Sequence, residues 1–465
     1  MLRRPTWGPI AVRLFALGIA VATSAVVHGQ KAASAVTEAS IRAHMEMLAS
    51  DALDGRGSGT RDEWIAATYI ASNLRRWGIE PLGDAGGYVQ DVTTTRGDFA
   101  RPPVVSAGGL SLVHGRQMLV QSMGTAHASG PLVKYVKDAA IPRGSVVLVV
   151  SAAAPEAGAI AGAAAVLTLE TDAMRRNRAS LAALVRAAPS ATRPWRIALD
   201  GPSYVALTQL DEGTVVKVDA EVTPGHTWNV IGRLRGSDAR LADDVILLSA
   251  HLDHLGVRGT GPDRINNGAD DDASGTTAVL ELAETIARGR RPKRTVMFAW
   301  FGSEEAGGFG ARHFLDEPPV PLDRIVLNLE FEMIGRPDDK VPPHTLWLTG
   351  YERSNLGEEL ARRGARIVAD PHPEQNFFTR SDNIQLAYRG IVAQTVSSFG
   401  LHKQYHTPAD DLEHIDFAHM TEAIRSMVAP VLWLANSTFR PDWRPGGRPV
   451  PRAGRGGGVI PAPVF

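Results

Sequence analysis

The sequence predicts an α/β protein: a sheet of buried strands flanked by amphipathic helices and interrupted by a smaller β-rich domain. Three observations lead there. Apolar or strand-like runs recur at Val245-Ile246-Leu247-Leu248, Thr295 to Phe301, Ile325 to Phe331 and Ile391 to Val396. Apolarity sustained over so few residues suits strands buried on both faces. Segments with apolar residues at helical spacing surround these runs. From about Gly97 to Pro224 the pattern changes to short β-like runs, such as GSVVLVV at Gly144 to Val150, beside an alanine-rich stretch at Ala157 to Val166.

Taken in order, the first residues read as an export signal. Arg3, Arg4 and Arg13 give a basic start, and Leu14 to Val27 is an apolar run too short to span a bilayer comfortably. Ile41, Met45 and Leu48 then recur at helical spacing, and the glycines of DALDGRGSGT, Asp51 to Thr60, end that helix. A second helix places Ile65, Ala66, Tyr69, Ile70 and Leu74 on one side, with Arg75 and Arg76 near its end and Gly78 as its stop. Beyond the β-rich stretch the chain rejoins the main sheet at Trp228-Asn229-Val230-Ile231-Gly232. Val279, Leu282, Ala283 and Ile286 mark another helix, ended by Gly289, and Ile424, Met427, Val428, Val431 and Leu432 mark a last one. From about Thr438 the chain carries five Arg and one Asp amid Pro and Gly, which reads as a flexible extension without a core. The expected layout is a signal at 1–29, a main domain at 30–96 and 225–437, a smaller domain at 97–224 and a tail at 438–465.

The strand ends carry the chemistry. SAHLDHLGVRGTGPDRINNGADDDASG, Ser249 to Gly275, joins the first buried strand to a helix and holds His251, Asp253 and Asp271. A single His after a strand is more often structural than a ligand. Here the later strands end in the same way: Glu304 and Glu305 follow the second, Glu330 and Glu332 close the third, and His406 follows the strand at Ile391 to Val396. Ligands of open α/β sheets gather beyond the carboxyl ends of the strands. Imidazole and carboxylate donors together suit zinc, with cobalt or manganese as substitutes.

Composition narrows the classes. With 465 residues the chain has room for more than one domain, and a net charge of −1 gives no basic surface for nucleic acid. The absence of cysteine removes disulfides, thiol catalysis and thiolate metal sites. No Gly-rich phosphate loop with a lysine and no Gly-x-Ser-x-Gly elbow is present. Nucleic acid is therefore not an expected partner, and no stable membrane partner is expected. An exported protein, periplasmic or secreted, follows from the signal.

The order HLD, GADDDASG, SEEAG, EMIGR and YHTPADD resembles that of the co-catalytic zinc exopeptidases: the bacterial leucyl-type aminopeptidases, glutamate carboxypeptidase and their relatives. LASDALDGRGSGT and the helix after it resemble their amino-terminal segment, and the middle region resembles their protease-associated insertion. The resemblance implies a mixed, mainly parallel sheet flanked by helices, two zinc ions, and a cis peptide after Asp271. It implies that Asp271 bridges the ions, with His251 and Glu332 on one and Glu305 and His406 on the other. Glu332 stands where many relatives have Asp. Matching the following Met333-Ile334-Gly335 selects it over Glu330. Glu304 would be the general base, Asp253 would orient the His251 ring, and Tyr405 would donate to the oxyanion, with a packed aromatic as the plain alternative for Tyr405. Phe377, Phe378 and Phe399 are candidates for a side-chain pocket or for core, and Ser381-Asp382 for a position near substrate or a cap. His254, His313, His344 and His402 fit no ligand position. The resemblance implies the activity of an aminopeptidase, with a peptide or protein bearing a free terminus as substrate. Carboxypeptidase action, glutaminyl cyclisation and a non-catalytic receptor are the alternatives.

Overall fold

The computed structural model describes residues 36–451 apart from 138, 152–154, 179–180, 183–188 and 260. The expected signal at 1–29 lies outside the described residues. The chain divides into two compact units, Thr93–His226 and the residues that precede and follow it, against the 97–224 expected from composition. Among the described residues no helix is long and apolar enough to cross a membrane.

In the larger unit the sheet runs in the order Ile367–Ala369, Leu346–Leu348, Val392–Ser397, Ile325–Phe331, Val245–His251, Thr295–Phe301, and then residues 230–234. Val245–His251 is central, paired in parallel with Thr295–Phe301 on one side and Ile325–Phe331 on the other. Val392–Ser397 extends the parallel run. Residues 230–234 and Leu346–Leu348 pair antiparallel with their neighbours Thr295–Phe301 and Val392–Ser397, so the sheet is mixed and mainly parallel.

The unbroken apolar runs follow from burial on both faces. Ile246, Leu248 and Ala250 join a core with Val279, Leu282 and Ile286 of helix Gly275–Arg288 and with Ile424, Met427 and Val431 of helix Phe417–Asn436. Val245 and Leu247 point the other way, to Ala311 and Phe314 of helix Phe309–Asp316 and to Leu386 and Ala387 of helix Asn383–Tyr388. Each fully buried Leu or Ile in these layers contributes roughly 1.5–3 kcal/mol. The early helices cover the first face: Glu38–Leu48 starts at Thr37, whose side chain accepts from the Ser40 N–H. Helix Arg61–Arg76 starts at Thr60, which accepts from the Glu63 N–H. Asp62 and Glu63 in its first turn and Arg75 and Arg76 in its last complement the helix dipole.

In the smaller unit, strand Val146–Val149 lies between the parallel strands His127–Tyr135 and Ala165–Leu169, and Trp195–Leu199 follows in parallel. Met118–Ser122 closes that edge antiparallel. Leu132, Leu148, Leu167, Trp195 and Ile197 form its core.

Residues 438–451 are not the core-free extension expected of the tail. Phe439 and Trp443 pack on the main core, the Trp443 indole Nε1–H donates to the Gly390 carbonyl at 3.0 Å, and Arg444 Nε donates to the Ser354 carbonyl at 3.2 Å. Two aromatic anchors outweigh the Pro and Gly around them. The remainder of that tail, 452–465, lies outside the described residues.

Candidate metal centre

Four of the five expected ligands lie at or after the carboxyl ends of strands in the parallel run. His251 ends Val245–His251, Glu304 and Glu305 follow Thr295–Phe301, and Glu332 follows Ile325–Phe331. Tyr405 and His406 lie in the loop after Val392–Ser397. Asp271 sits in the turn that opens helix Gly275–Arg288, with a cis peptide between Asp271 and Asp272. The Asp410 carboxylate holds that turn by accepting from the Asp270 N–H at 2.9 Å and the Asp271 N–H at 3.1 Å.

Asp271 is the hub. Its Oδ1 lies 3.1 Å from His251 Nε2, and its Oδ2 lies 3.2 Å from His406 Nε2. His406 Nε2 is also 3.2 Å from Glu305 Oε1. Ligand atoms of His251, Asp271 and Glu332 converge within 4.8 Å of one another. A second convergence joins Asp271 and Glu305 to His254, whose Nδ1 lies 2.9 Å from Glu305 Oε1 and 3.9 Å from Asp271 Oδ2. His254 is wholly buried, which corrects the expectation that it fits no ligand position. Its signal in the sequence is the second His of HLDH, three residues past His251 in a turn tight enough to bring both rings inward.

These atoms face one another without hydrogen bonds. His251 Nε2, His254 Nδ1, Glu305 Oε1 and His406 Nε2 are buried and unpartnered, and buried polar atoms of folded proteins are normally paired. The His251 ring shows why a cation fits. Its Nδ1 lies 3.1 Å from the Asp253 main-chain carbonyl, which can only accept, so Nδ1 carries the proton. In the ring's neutral form Nε2 turns a lone pair toward the Asp271 carboxylate, an arrangement that a divalent ion taking the place of the Nε2 proton would satisfy. The donor set of imidazoles and carboxylates suits zinc.

The role expected of Asp253 is divided. Its carbonyl orients His251, while its carboxylate stands 3.9 Å from the ring and accepts from the Ser58 hydroxyl and, at 3.0 Å, from the Glu304 N–H. The carboxylate thus positions Glu304. Of the two acids on the third strand, Glu332 joins the His251 group, whereas Glu330 accepts from the Asn383 N–H. Burial raises the Glu304 carboxyl well above the usual range and the Glu332 carboxyl to about 7. Burial alone would raise Asp271 too, but the His251 and His406 imidazoles hold it well below the carboxylate range. Beneath the site, the buried Arg56 guanidinium donates to the carbonyls of Leu48, Leu252, Asn267 and Gly268, tying the loop before His254 to the loop before Asp271.

A cavity opens over this floor. Asp271, Glu304, Glu305 and Glu332 form its polar side, and Met333, Trp347, Phe377, Phe399 and Tyr405 its apolar side, with Arg380 at the margin. The Tyr405 ring stacks on His406 at 3.8 Å between centroids, and its hydroxyl lies 3.5 Å from Arg380 Nη2. Burial raises that hydroxyl, so it remains protonated and able to donate. Phe377 and Phe399 line the cavity, while Phe378 packs into the core under helix Asn383–Tyr388. His402 and His344 are structural, the first 2.9 Å from Asp270 Oδ2 and the second stacked on His419.

Residues 229–431 match Peptidase family M28. The match covers less than half of the chain, and in this segment the chain resembles the co-catalytic zinc exopeptidases. Aminopeptidase YwaD of Bacillus subtilis is 27% identical over 225 residues, 47% of this chain and 46% of that protein. An aminopeptidase of Pseudomonas aeruginosa is 34% identical over 122 residues, 26% of this chain and 20% of that protein. The matches thus span from a fifth to just under half the length of these relatives. The solved structure of BSAP, a zinc aminopeptidase from Bacillus subtilis, superposes with a TM-score of 0.53 at 21% identity, covering 86% of this chain and 96% of that one. An aminopeptidase from Aneurinibacillus sp. strain AM-1 gives 0.52 at 16% identity, covering 93% and 98%. These likenesses establish the fold, down to its mixed, mainly parallel sheet.

Proposed function

We propose that the chain is an exported zinc-dependent aminopeptidase. The observation that carries this reading is the Asp271 carboxylate, whose two oxygens face separate imidazoles, on the floor of a cavity with an apolar wall. His251, Asp271 and Glu332 would hold one ion. Asp271, Glu305 and His406 would hold the other, with His254 as a further nitrogen donor within reach of Glu305. When bound, zinc supplies Lewis acidity, polarising a peptide carbonyl and acidifying water.

The protein's own groups do the rest. Glu304, positioned through its N–H by Asp253, takes the proton of the attacking water and returns it to the leaving amine. The Tyr405 hydroxyl donates to the carbonyl oxygen as negative charge develops there. Trp347, Phe377 and Phe399 receive an apolar side chain and exclude water. A carboxylate-lined floor suits a terminal ammonium. A free carboxylate terminus would meet Arg380, whose guanidinium already lies over the Phe377 ring at 5.0 Å. The smaller unit, whose sequence resembles a protease-associated insertion, would act on access for longer peptides.

The test is turnover of aminoacyl arylamides, amino-blocked peptides and free dipeptides by the zinc-loaded chain, paired with Glu304→Gln. Zinc-dependent cleavage that needs a free amino group is expected, with zinc content retained and kcat reduced on the order of 10²-fold or more in the variant. Cleavage of blocked peptides from the carboxyl end would make the protein a carboxypeptidase. Binding of zinc without turnover would favour the receptor reading.

A further inference from the structure

The apolar wall of the cavity rests on a buried polar relay that the reaction does not use. Trp347 is 1% exposed, and its ring stacks on Phe377 with centroids 5.3 Å apart. Phe377 meets Phe399 edge-on at 5.8 Å, Phe399 meets Tyr405 at 5.1 Å, and Tyr405 stacks on His406. A continuous aromatic face therefore runs from Trp347 to the candidate metal ligands. Behind it, the Trp347 Nε1–H donates to Asp338 Oδ2 at 3.1 Å, and His372 Nε2 lies 2.8 Å from the same oxygen. Asp338 Oδ1 accepts from the Lys340 N–H at 2.9 Å.

The protonation of His372 is fixed by its partners. Lys340 Nζ lies 3.1 Å from His372 Nδ1 and has only protons to offer, so Nδ1 accepts and Nε2 carries the proton given to Asp338. Asp338 and His372 are 3% and 2% exposed, and a buried carboxylate is tolerated there because both of its oxygens are satisfied. The His372 ring also meets Phe377 edge-on at 6.2 Å and Trp347 at 6.4 Å. The relay thus touches both outer rings of the wall and none of the candidate ligands. A tryptophan in a core can settle in more than one rotamer, and a hydrogen bond to a fixed buried acceptor selects one.

We propose that Asp338 and His372 are positioning residues that lock Trp347 and Phe377 into a rigid slot for a large, flat apolar terminal side chain. The proposal rests on the reading of this cavity as the substrate site. A slot held this way discriminates by shape, and a well-formed aromatic pocket separates a large apolar side chain from a methyl group by about tenfold or more. Releasing the relay would lower the affinity for the large side chain and spare the small one, because the candidate ligands and Glu304 make no contact with it.

The test measures binding separately from turnover. The zinc-loaded full chain is titrated calorimetrically with phenylalanine hydroxamate and alanine hydroxamate, and phenylalanyl and alanyl arylamides are assayed in parallel for kcat and KM. The wild-type chain is expected to prefer the phenylalanine ligand by about tenfold or more. Asp338→Ala should bring that preference to within about threefold, the loss falling on phenylalanyl KM rather than on alanyl kcat. Asp338→Asn, which keeps an oxygen able to accept from both rings but turns its NH2 toward the Lys340 N–H, should restore part of it. Lys340 is exposed, so Lys340→Met threatens folding least. It decides the matter if Asp338→Ala does not fold, with a partial loss expected. An undiminished preference in the variants, an equal loss for both hydroxamates, or no preference in the wild type overturns the proposal. Preferential hydroxamate binding without amide cleavage would remove the peptidase reading and leave the relay standing.

Discussion

Glu281 is a carboxyl held out of water. It is 1% exposed on helix Gly275–Arg288, and His44 Nε2 stands 3.8 Å from its Oε1. Burial raises the Glu281 pKa from 4.5 to about 7. Burial, with help from Arg76, lowers His44 from 6.5 to about 4, and the His44 Nδ1 pairs with the Tyr69 hydroxyl at 2.8 Å. The signs are opposite. The native state binds the Glu281 proton more tightly than the unfolded chain does, so stability falls as pH rises from 4.5 through 7. For His44 the unfolded chain binds the proton better, so stability falls as pH drops from 6.5 toward 4. Glu281→Gln copies the protonated carboxyl. It is therefore expected to stabilise the protein by about 2 kcal/mol at pH 8 and by little at pH 5, read from thermal unfolding at each pH. An equal gain at both would show that the gain does not come from ionisation of Glu281. No sequence signal marks this pair, because Glu281 sits between Leu280 and Leu282 on a helix whose neighbours are set only by tertiary packing.

At the scale of elements, the sequence carried most of the sheet and the places where chemistry could sit. Strands buried on both faces announce themselves as apolar runs, and the segments beyond their carboxyl ends bring His251, Asp271, Glu305, Glu332 and His406 together. Less visible were features that depend on the path between elements. His254 turns inward because the loop after His251 folds back under Arg56, whose backbone carbonyl accepts from the His254 N–H at 3.0 Å. Asp253 serves His251 through its carbonyl, which no side-chain pattern encodes. The tail segment was hidden by composition, since Pro, Gly and Arg outnumber the two aromatics that anchor it. Trp443 is the better of those anchors, packing edge-on to Phe378 at 6.2 Å and donating to the Gly390 carbonyl. Trp443→Ala should lower stability by about 2–3 kcal/mol, less than for a fully enclosed Trp because this ring is half-buried. Denaturant titration checks it, and a change under about 0.5 kcal/mol would return the segment to the status of a surface extension.

The two units of the chain have separate cores. The main core and that of the Thr93–His226 unit draw on separate residues. The cavity over the candidate metal centre is lined by residues of the larger unit, from Asp271 to Tyr405. Within that unit, the strand leading out at Val92 and the strand leading in at Thr227 are already paired, the Ile231 N–H donating to the Tyr88 carbonyl at 2.7 Å. A short linker can therefore close the gap at small entropic cost, since loop closure grows only slowly with length. Replacing residues 93–226 with a brief Gly-Ser linker should leave a chain that unfolds in one cooperative transition and retains its zinc, because the larger unit has its own core and supplies its own ligands. On the aminopeptidase reading, kcat/KM for a single-residue arylamide should stay within about tenfold of the full chain, while any role of the smaller unit in access would surface as a larger change for long peptides. Calorimetric unfolding, metal analysis and the two substrate lengths together decide it. Loss of zinc or of a cooperative transition on excision would mean that the larger unit does not stand alone and that its site depends on the unit removed.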